Sequence, residues 1–394
     1  MDLLAHLDDF SSTRLDFFEL YWHVTMRKNI LLLCISTLLT LCGCELLIRV
    51  LIPQASYHDV MYRAEKKLGW EFVPDKKVKV VYEGGINHFI NFNQDGFRDT
   101  PFTKKTEAYK IMVLGDSFVS NIAVEDEEVF TQVMEEQIGS TSVYNFGVNG
   151  YGQIQEYLLL KEWLPRVKAD LIVQFIYLRN DFTDNVAKFP WLFPRPTATF
   201  DANDKMQIEA PNFENYKAKE KPPIYYKSQL FLFIKRRLSQ LKAKTANKTN
   251  ALFIPPEIYT CRKPQSDDTV ELYEIMQKLL LEINQYAKTN NTPVIFVLAP
   301  SLFQVEDSLW SELQVYDPTV VLQRDLPNQK LIAFAMENNL EMLDLMPLLR
   351  EANRNESQLY HDKEQHWTVE GNRVVAHALA KYIKTRIKPN SPLF

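Results

Sequence analysis

Ser117 stands in Gly115-Asp-Ser117, at the end of a short apolar run from Ile111 to Leu114. A serine hydroxyl is a poor nucleophile until a neighbouring imidazole takes its proton. A carboxylate beside that imidazole fixes its tautomer and stabilises its charged form. Far downstream, His361-Asp-Lys-Glu-Gln-His-Trp367 supplies an imidazole in His366, with Asp362 and Glu364 close to it in sequence. Attack on an acyl carbon puts negative charge on oxygen, and one preorganised donor there is worth about 3–4 kcal/mol in the transition state. The backbone amides of Ser117 and Gly150 and the side-chain amide of Asn180 are candidate donors. Each cluster taken singly has a plainer reading. Gly-Asp-Ser is also a helix-capping loop, Gly150 a positive-φ turn, Asn180-Asp181 a cap, and His366 beside Trp367 a packed histidine.

These residues need a scaffold that carries them to one place. Ile111–Leu114, Val143–Val148, Leu171–Leu178, Val294–Ala299 and Met342–Leu345 read as strands. Between and after them, Glu127–Ile138, Gln153–Val167, Thr269–Lys288, Asp325–Asn338 and Thr368–Ile387 read as helices. Repeated strand–helix units predict an α/β fold with a mainly parallel sheet covered on both faces. In such sheets ligands bind outside the carboxyl ends of the strands, where Ser117, Gly150 and Asn180 each follow a strand.

Residues 186–266 break this rhythm and read as an insertion beside the site. Within them Ser228 to Leu241 has a helical period. The run Lys235-Arg-Arg, with Lys242, Lys244 and Lys248 after it, reads as a solvated face. Ahead of the α/β region, two alternating runs about Glu83-Gly-Gly85 predict a β-hairpin within a juxtamembrane stretch, 54–108.

From Ile30 to Leu41 the chain is almost wholly apolar, and extension to Ile52 gives enough residues to cross a bilayer. The segment 29–53 is therefore expected to be a single transmembrane anchor, with 1–28 in the cytoplasm. Arg27-Lys28 favours that orientation and puts the remainder on the periplasmic or extracellular side. The formal net charge of −5 and the lack of a basic stripe argue against nucleic acid as a partner. Three of the four cysteines, Cys34, Cys42 and Cys44, lie in the apolar segment, so no disulfide framework within the soluble part is expected. No Cys-x-x-Cys or His-x-x-x-His spacing suggests a metal. Gly147-Val-Asn-Gly-Tyr-Gly152 lacks the order of a dinucleotide loop, so no cofactor is expected.

Taken together, the four clusters in order resemble the SGNH (GDSL-type) hydrolase superfamily over roughly 109–390. Gly115-Asp-Ser117 is similar to its nucleophile block, Gly150 to its glycine block, Asn180-Asp181 to its asparagine block and His366 to its histidine block. The anchor, followed by Asn93-Gln-Asp-Gly-Phe-Arg98, resembles a membrane-anchored bacterial branch. The resemblance implies a flavodoxin-like three-layer α/β/α fold, a Ser117–His366 pair and an oxyanion hole from Ser117, Gly150 and Asn180. It implies a serine esterase or O-acyl transferase whose acyl ester is carried on a cell-envelope or secreted polysaccharide. The pattern departs at the acid, because Lys363 occupies the family's usual aspartate position. The Asp-x-His spacing of some anchored relatives gives the role to Glu364, ahead of Asp362. That irregularity also leaves a second expectation, a noncatalytic envelope-binding or complex-forming protein that keeps the fold.

Overall fold

The computed structural model describes residues 5–52, 54, 61–81, 86–107, 109–186, 193–202, 204–214, 216, 228–246, 257–316, 321–355, 357–361 and 365–386. They form two compact units, one from 1–54 with 221–250 and the other from 55–220 with 251–394.

In the first unit a single helix runs unbroken from Ala5 to Leu51, since no proline interrupts it before Pro53. Its Thr25–Leu51 portion is long and apolar enough to cross a membrane, by length and composition. A second helix spans Gln229–Ala246. Glu45 of the first helix caps the second: its carboxylate accepts from Ser228 Oγ at 2.8 Å, Gln229 N at 3.0 Å and Leu230 N at 2.9 Å. Backbone N–H groups that a helix start leaves unpaired thus find an acceptor, and the negative charge suits the helix dipole. Arg49, one turn on, pairs with the same carboxylate at 2.6 Å.

The second unit is built on five parallel strands: β1 Tyr109–Gly115, β2 Thr141–Gly147, β3 Leu171–Tyr177, β4 Val294–Ala299 and β5 Glu341–Asp344. Their order is β2-β1-β3-β4-β5, with every neighbour parallel. This is the flavodoxin-like order, which reverses direction between β1 and β3. Because side chains alternate, Met112, Leu114, Ile172, Ile176, Phe296 and Leu298 enter one core layer. Ile111, Val113, Val173, Phe175, Ile295 and Val297 enter the other. Helices Gln153–Val167, Asp267–Thr289 and Leu326–Glu337 cover the first layer, and Phe130–Ile138 and Val369–Lys384 the second. Each fully buried aliphatic side chain is worth about 1.5–3 kcal/mol, so two filled layers make the sheet the rigid part of the unit.

The expected helix Glu127–Ile138 is divided. A 3₁₀ turn covers Asp126–Glu128, Val129 is extended and buried, and the α-helix begins at Phe130. Burial of Val129 and a reciprocal Glu125–Glu128 cap outweigh helical continuity there. The predicted hairpin pairs Lys77–Val81 with Asn87–Asn91 in antiparallel register; its turn, 82–85, lies outside the described residues. A further hairpin, Tyr62–Glu65 with Gly69–Phe72, has strands too short to have announced themselves. The stretch 186–266 contains a hairpin of Thr197–Phe200 with Met206–Glu209.

Arg98 ties the hairpin region to the loop after β1. It is 2% exposed, and its guanidinium donates to the carbonyls of Ser120 (2.9 Å), Asn121 and Val124 (2.6 Å) and to Asp126 (3.0 Å). Removing it strands buried acceptors beside the segment that follows Ser117. Arg98→Met is therefore expected to cost about 3 kcal/mol or more in chemical denaturation in detergent. Arg98→Lys should recover only part of that, since one ammonium cannot span four acceptors.

Candidate active site

Ser117 is placed by a close approach of backbone. β1 ends at Gly115, where a Cβ would lie 2.3 Å from Val119 Cγ2. At the end of β2, a Cβ on Gly147 would lie 2.3 Å from the Ser120 nitrogen. Only glycine at both places lets the short helix Ser117–Ser120 sit back against the strands. Asp116 caps that helix, its Oδ1 accepting from Phe118 N at 2.8 Å, and its Oδ2 lies 3.3 Å from Ser117 Oγ. Ser117 itself is half-buried at the rim between β1 and β3.

His366 reaches the same rim from the other end of the chain. An antiparallel bridge between Tyr360 and Trp367 closes its loop, with His361 N donating to His366 O at 2.9 Å. Trp367 is fully buried, its carbonyl accepts from Asn121 Nδ2 at 3.1 Å, and Tyr360 OH donates to Pro300 O at 2.8 Å. Thr368 then caps the helix Val369–Lys384. The result is His366 Nε2 at 2.8 Å from Ser117 Oγ, with the imidazole 5.1 Å from the Phe118 ring. With the hydroxyl donating, Nε2 is the unprotonated nitrogen and the proton sits on Nδ1. Asp362 and Glu364 lie outside the described residues.

Gly150 adopts φ +76 in a turn where Tyr151 N donates to Val148 O at 3.1 Å. That turn is pinned by Trp70 Nε1 to Asn149 O at 3.0 Å and by Ser120 Oγ to Asn149 Oδ1. Asn180 follows β3, but its amide faces a carboxylate: Nδ2 donates to Asp184 Oδ2 at 2.6 Å. Next to it, the Arg179 guanidinium donates to Gln365 Oε1, the side chain just before His366. Gln365 holds φ +61, with its N–H on His361 O at 2.7 Å. The loop after β3 thereby grips the loop that carries the imidazole. The sequence reading assigned no role to Arg179 or Gln365, since neither belongs to a motif and only their tertiary contact couples them.

Behind Ser117 lies a buried group of carboxyls: Asp116, Glu156, Asp181 and, less deeply, Asp184. Burial pushes Asp116 up to about 6 and Glu156 and Asp181 well above the carboxylate range. Asp184 is also raised by burial, although Arg195 stands 3.1 Å away. Gln153 Nε2 donates to Asp181 Oδ2 at 2.7 Å, as does Tyr177 N at 2.8 Å, and Gln174 Nε2 donates to Glu156 Oε2. Glu156 Oε1 and Gln174 Oε1 are buried without a hydrogen-bond partner. Two acceptors and no donor is the arrangement that a proton on Glu156 relieves. A sequence signal for Glu156 existed: with Gln153 and Leu160 it lies on the buried face at i, i+3 and i+7.

Residues 267–392, about a third of the chain and the part that carries His366, match the model of a family described as SGNH hydrolase-like domain, acetyltransferase AlgX. No curated protein matches the chain. Solved structures similar to it include a putative lipolytic protein of the G-D-S-L family from Desulfitobacterium hafniense, 12% identical, with a TM-score of 0.36, covering 69% of this chain and 98% of that one. A lipase/acylhydrolase from Enterococcus faecalis is 14% identical, with a TM-score of 0.37, covering 72% and 99%. A catalytic mutant of an acetylxylan esterase from Geobacillus stearothermophilus is 14% identical, with a TM-score of 0.37, covering 71% and 96%.

The raised carboxyls make stability depend on pH with a definite sign. A group that holds its proton more tightly when folded contributes fully below its unfolded pKa and loses that contribution as pH rises through the folded one. Glu156→Gln replaces the protonated acid with a neutral amide of the same shape. It is expected to remove a slope of up to about 1.4 kcal/mol per pH unit above the ordinary carboxylate range. Thermal unfolding of parent and variant at pH 5 and pH 8 measures this; equal pH dependence would show that Glu156 is not the proton carrier.

Proposed function

We propose, on the premise that this chain is a member of the SGNH hydrolase superfamily, that it is a membrane-anchored serine enzyme acting on acyl esters. The observation that carries this reading is the 2.8 Å contact between His366 Nε2 and Ser117 Oγ at the β1/β3 rim. Ser117 Oγ attacks the ester carbonyl carbon while His366 takes the hydroxyl proton. The tetrahedral oxyanion receives hydrogen bonds from the Ser117 and Gly150 backbone amides and Asn180 Nδ2. For the last of these, Asn180 must turn an N–H from Asp184 toward the substrate. Collapse breaks the ester C–O bond, and the alcohol leaves with the proton from His366. A second acceptor then takes the acyl group from Ser117 by the reverse sequence. Glu364, or else Asp362, is the residue proposed to hold the imidazole.

Water as that acceptor makes an esterase, and a second alcohol makes an O-acyl transferase. The family whose model matches 267–392 is described as an acetyltransferase, which supports acetyl as the acyl group and transfer as the outcome. The apolar helix Thr25–Leu51 supports an anchor, and Arg27-Lys28 ahead of it supports placement of the site on the periplasmic or extracellular side. A cell-envelope or secreted polysaccharide is the carrier such a site would meet. One observation favours a second reading, a binding protein without turnover: the Asn180 amide is held by Asp184 rather than presented to a ligand.

A serine-directed fluorophosphonate applied to the full chain in detergent distinguishes the two. The enzyme reading expects an adduct on Ser117, none in Ser117→Ala, and labelling slowed roughly 10³-fold or more in His366→Ala. Labelling unchanged in either variant would overturn the enzyme reading. Absence of labelling in the correctly folded parent would favour the binding protein.

A further inference from the structure

The helix Gln229–Ala246 plays no part in the chemistry above, and its composition is unlike the rest of the chain. It carries Lys235, Arg236, Arg237, Lys242 and Lys244 and no acidic residue, in a protein of net charge −5. Phe231, Ile234 and Leu238 recur at i, i+3 and i+7, so they share one stripe. Ile234 and Leu238 are 48% and 53% exposed, whereas Leu232 on another face is buried. Lys235 and Arg237 are exposed on either side of the stripe, and the Arg237 guanidinium lies 5.3 Å over the Phe233 ring. An apolar stripe and flanking cations together are the pattern of a helix that lies in a membrane surface.

The place where this helix begins decides the partner. Its start is fixed by Glu45 through Ser228 Oγ and the amides of Gln229 and Leu230, and Gln54 N donates to Gln229 Oε1 at 2.5 Å. Along the apolar helix, Lys28 and Glu45 bracket the uncharged stretch. At 1.5 Å per residue they are about 26 Å apart, close to the roughly 30 Å of a hydrocarbon core. Glu45 therefore stands at the level where acyl chains give way to headgroups. A basic amphipathic helix that starts there meets phosphate groups and the outer ends of acyl chains together.

We propose that Gln229–Ala246 lies on an anionic lipid leaflet, with its Phe231–Ile234–Leu238 stripe among the acyl chains and Lys235, Arg236 and Arg237 on lipid phosphates. The inference rests on the reading of Thr25–Leu51 as a membrane span. Glu45 and Arg49 then do more than tolerate the interface: they fix the point from which the surface helix departs.

The test uses the full chain in lipid nanodiscs of phosphatidylcholine alone, or with about one third phosphatidylglycerol, and reads hydrogen exchange of the amides of residues 231–238 by mass spectrometry. Exchange is expected to be roughly tenfold slower in the anionic discs, with much of that gain lost at high salt. Lys235→Gln/Arg236→Gln/Arg237→Gln should abolish the lipid difference. Ile234→Ser/Leu238→Ser, which keeps every charge, should reduce it. Both variants leave the Glu45 cap intact, and circular dichroism checks that they remain helical. Equal exchange in the two lipids, or protection that depends on two copies sharing a disc, would overturn the proposal. The anchor itself is read separately. A chain that alkaline washing strips from phosphatidylcholine vesicles would remove the span, whereas one that stays but shows no lipid difference would remove only the surface helix.

Discussion

A hydroxyl at residue 117 and an imidazole at residue 366 can be held at 2.8 Å only if two loops from opposite ends of the unit are each immobilised. The sheet supplies one half of that constraint. Two glycines, Gly115 and Gly147, let the helix after β1 pack where any side chain would collide. The other half comes from burial of Trp367 and Tyr360, which anchor the bridge flanking His366, and from the Arg179–Gln365 contact that fastens this loop to the end of β3. Trp367 stacks edgewise on Phe118, so the two halves share an aromatic contact between the residues that follow Ser117 and His366 in the chain. A dense interior of this kind does not deform continuously, which is why the pair can hold its separation.

The polar interior behind Ser117 follows a different logic. Carboxyls at Asp116, Glu156 and Asp181 sit where water does not reach, and they repel one another when charged. Neutral amides from Gln153 and Gln174 meet them in place of cations. Burial and mutual repulsion make such a network hold protons to higher pH than a surface carboxyl does.

The first unit solves a separate problem, the start of its second helix. Backbone N–H groups at a helix start have no acceptor within the helix itself. A carboxylate supplied by the neighbouring helix answers them, and Arg49 balances its charge. Glu45 and Arg49 of one helix are thus part of the scaffold of a second.

Much of the α/β layout was legible from the sequence. Gln153–Val167 and Val294–Ala299 have the predicted bounds, because long periodic or wholly apolar runs state their type locally. The order of Gly-Asp-Ser, Gly150, Asn180 and His366 also pointed to one rim, since each follows a strand or precedes a helix in a repeating pattern. The short hairpin at Tyr62–Phe72, the extended Val129 and the carboxylate grip on Asn180 were not legible. Residues alone determined which groups were available and in what order the chain presents them. Tertiary structure decided which atoms meet: 249 residues separate Ser117 from His366, and only packing around a shared core sets a distance across such a gap.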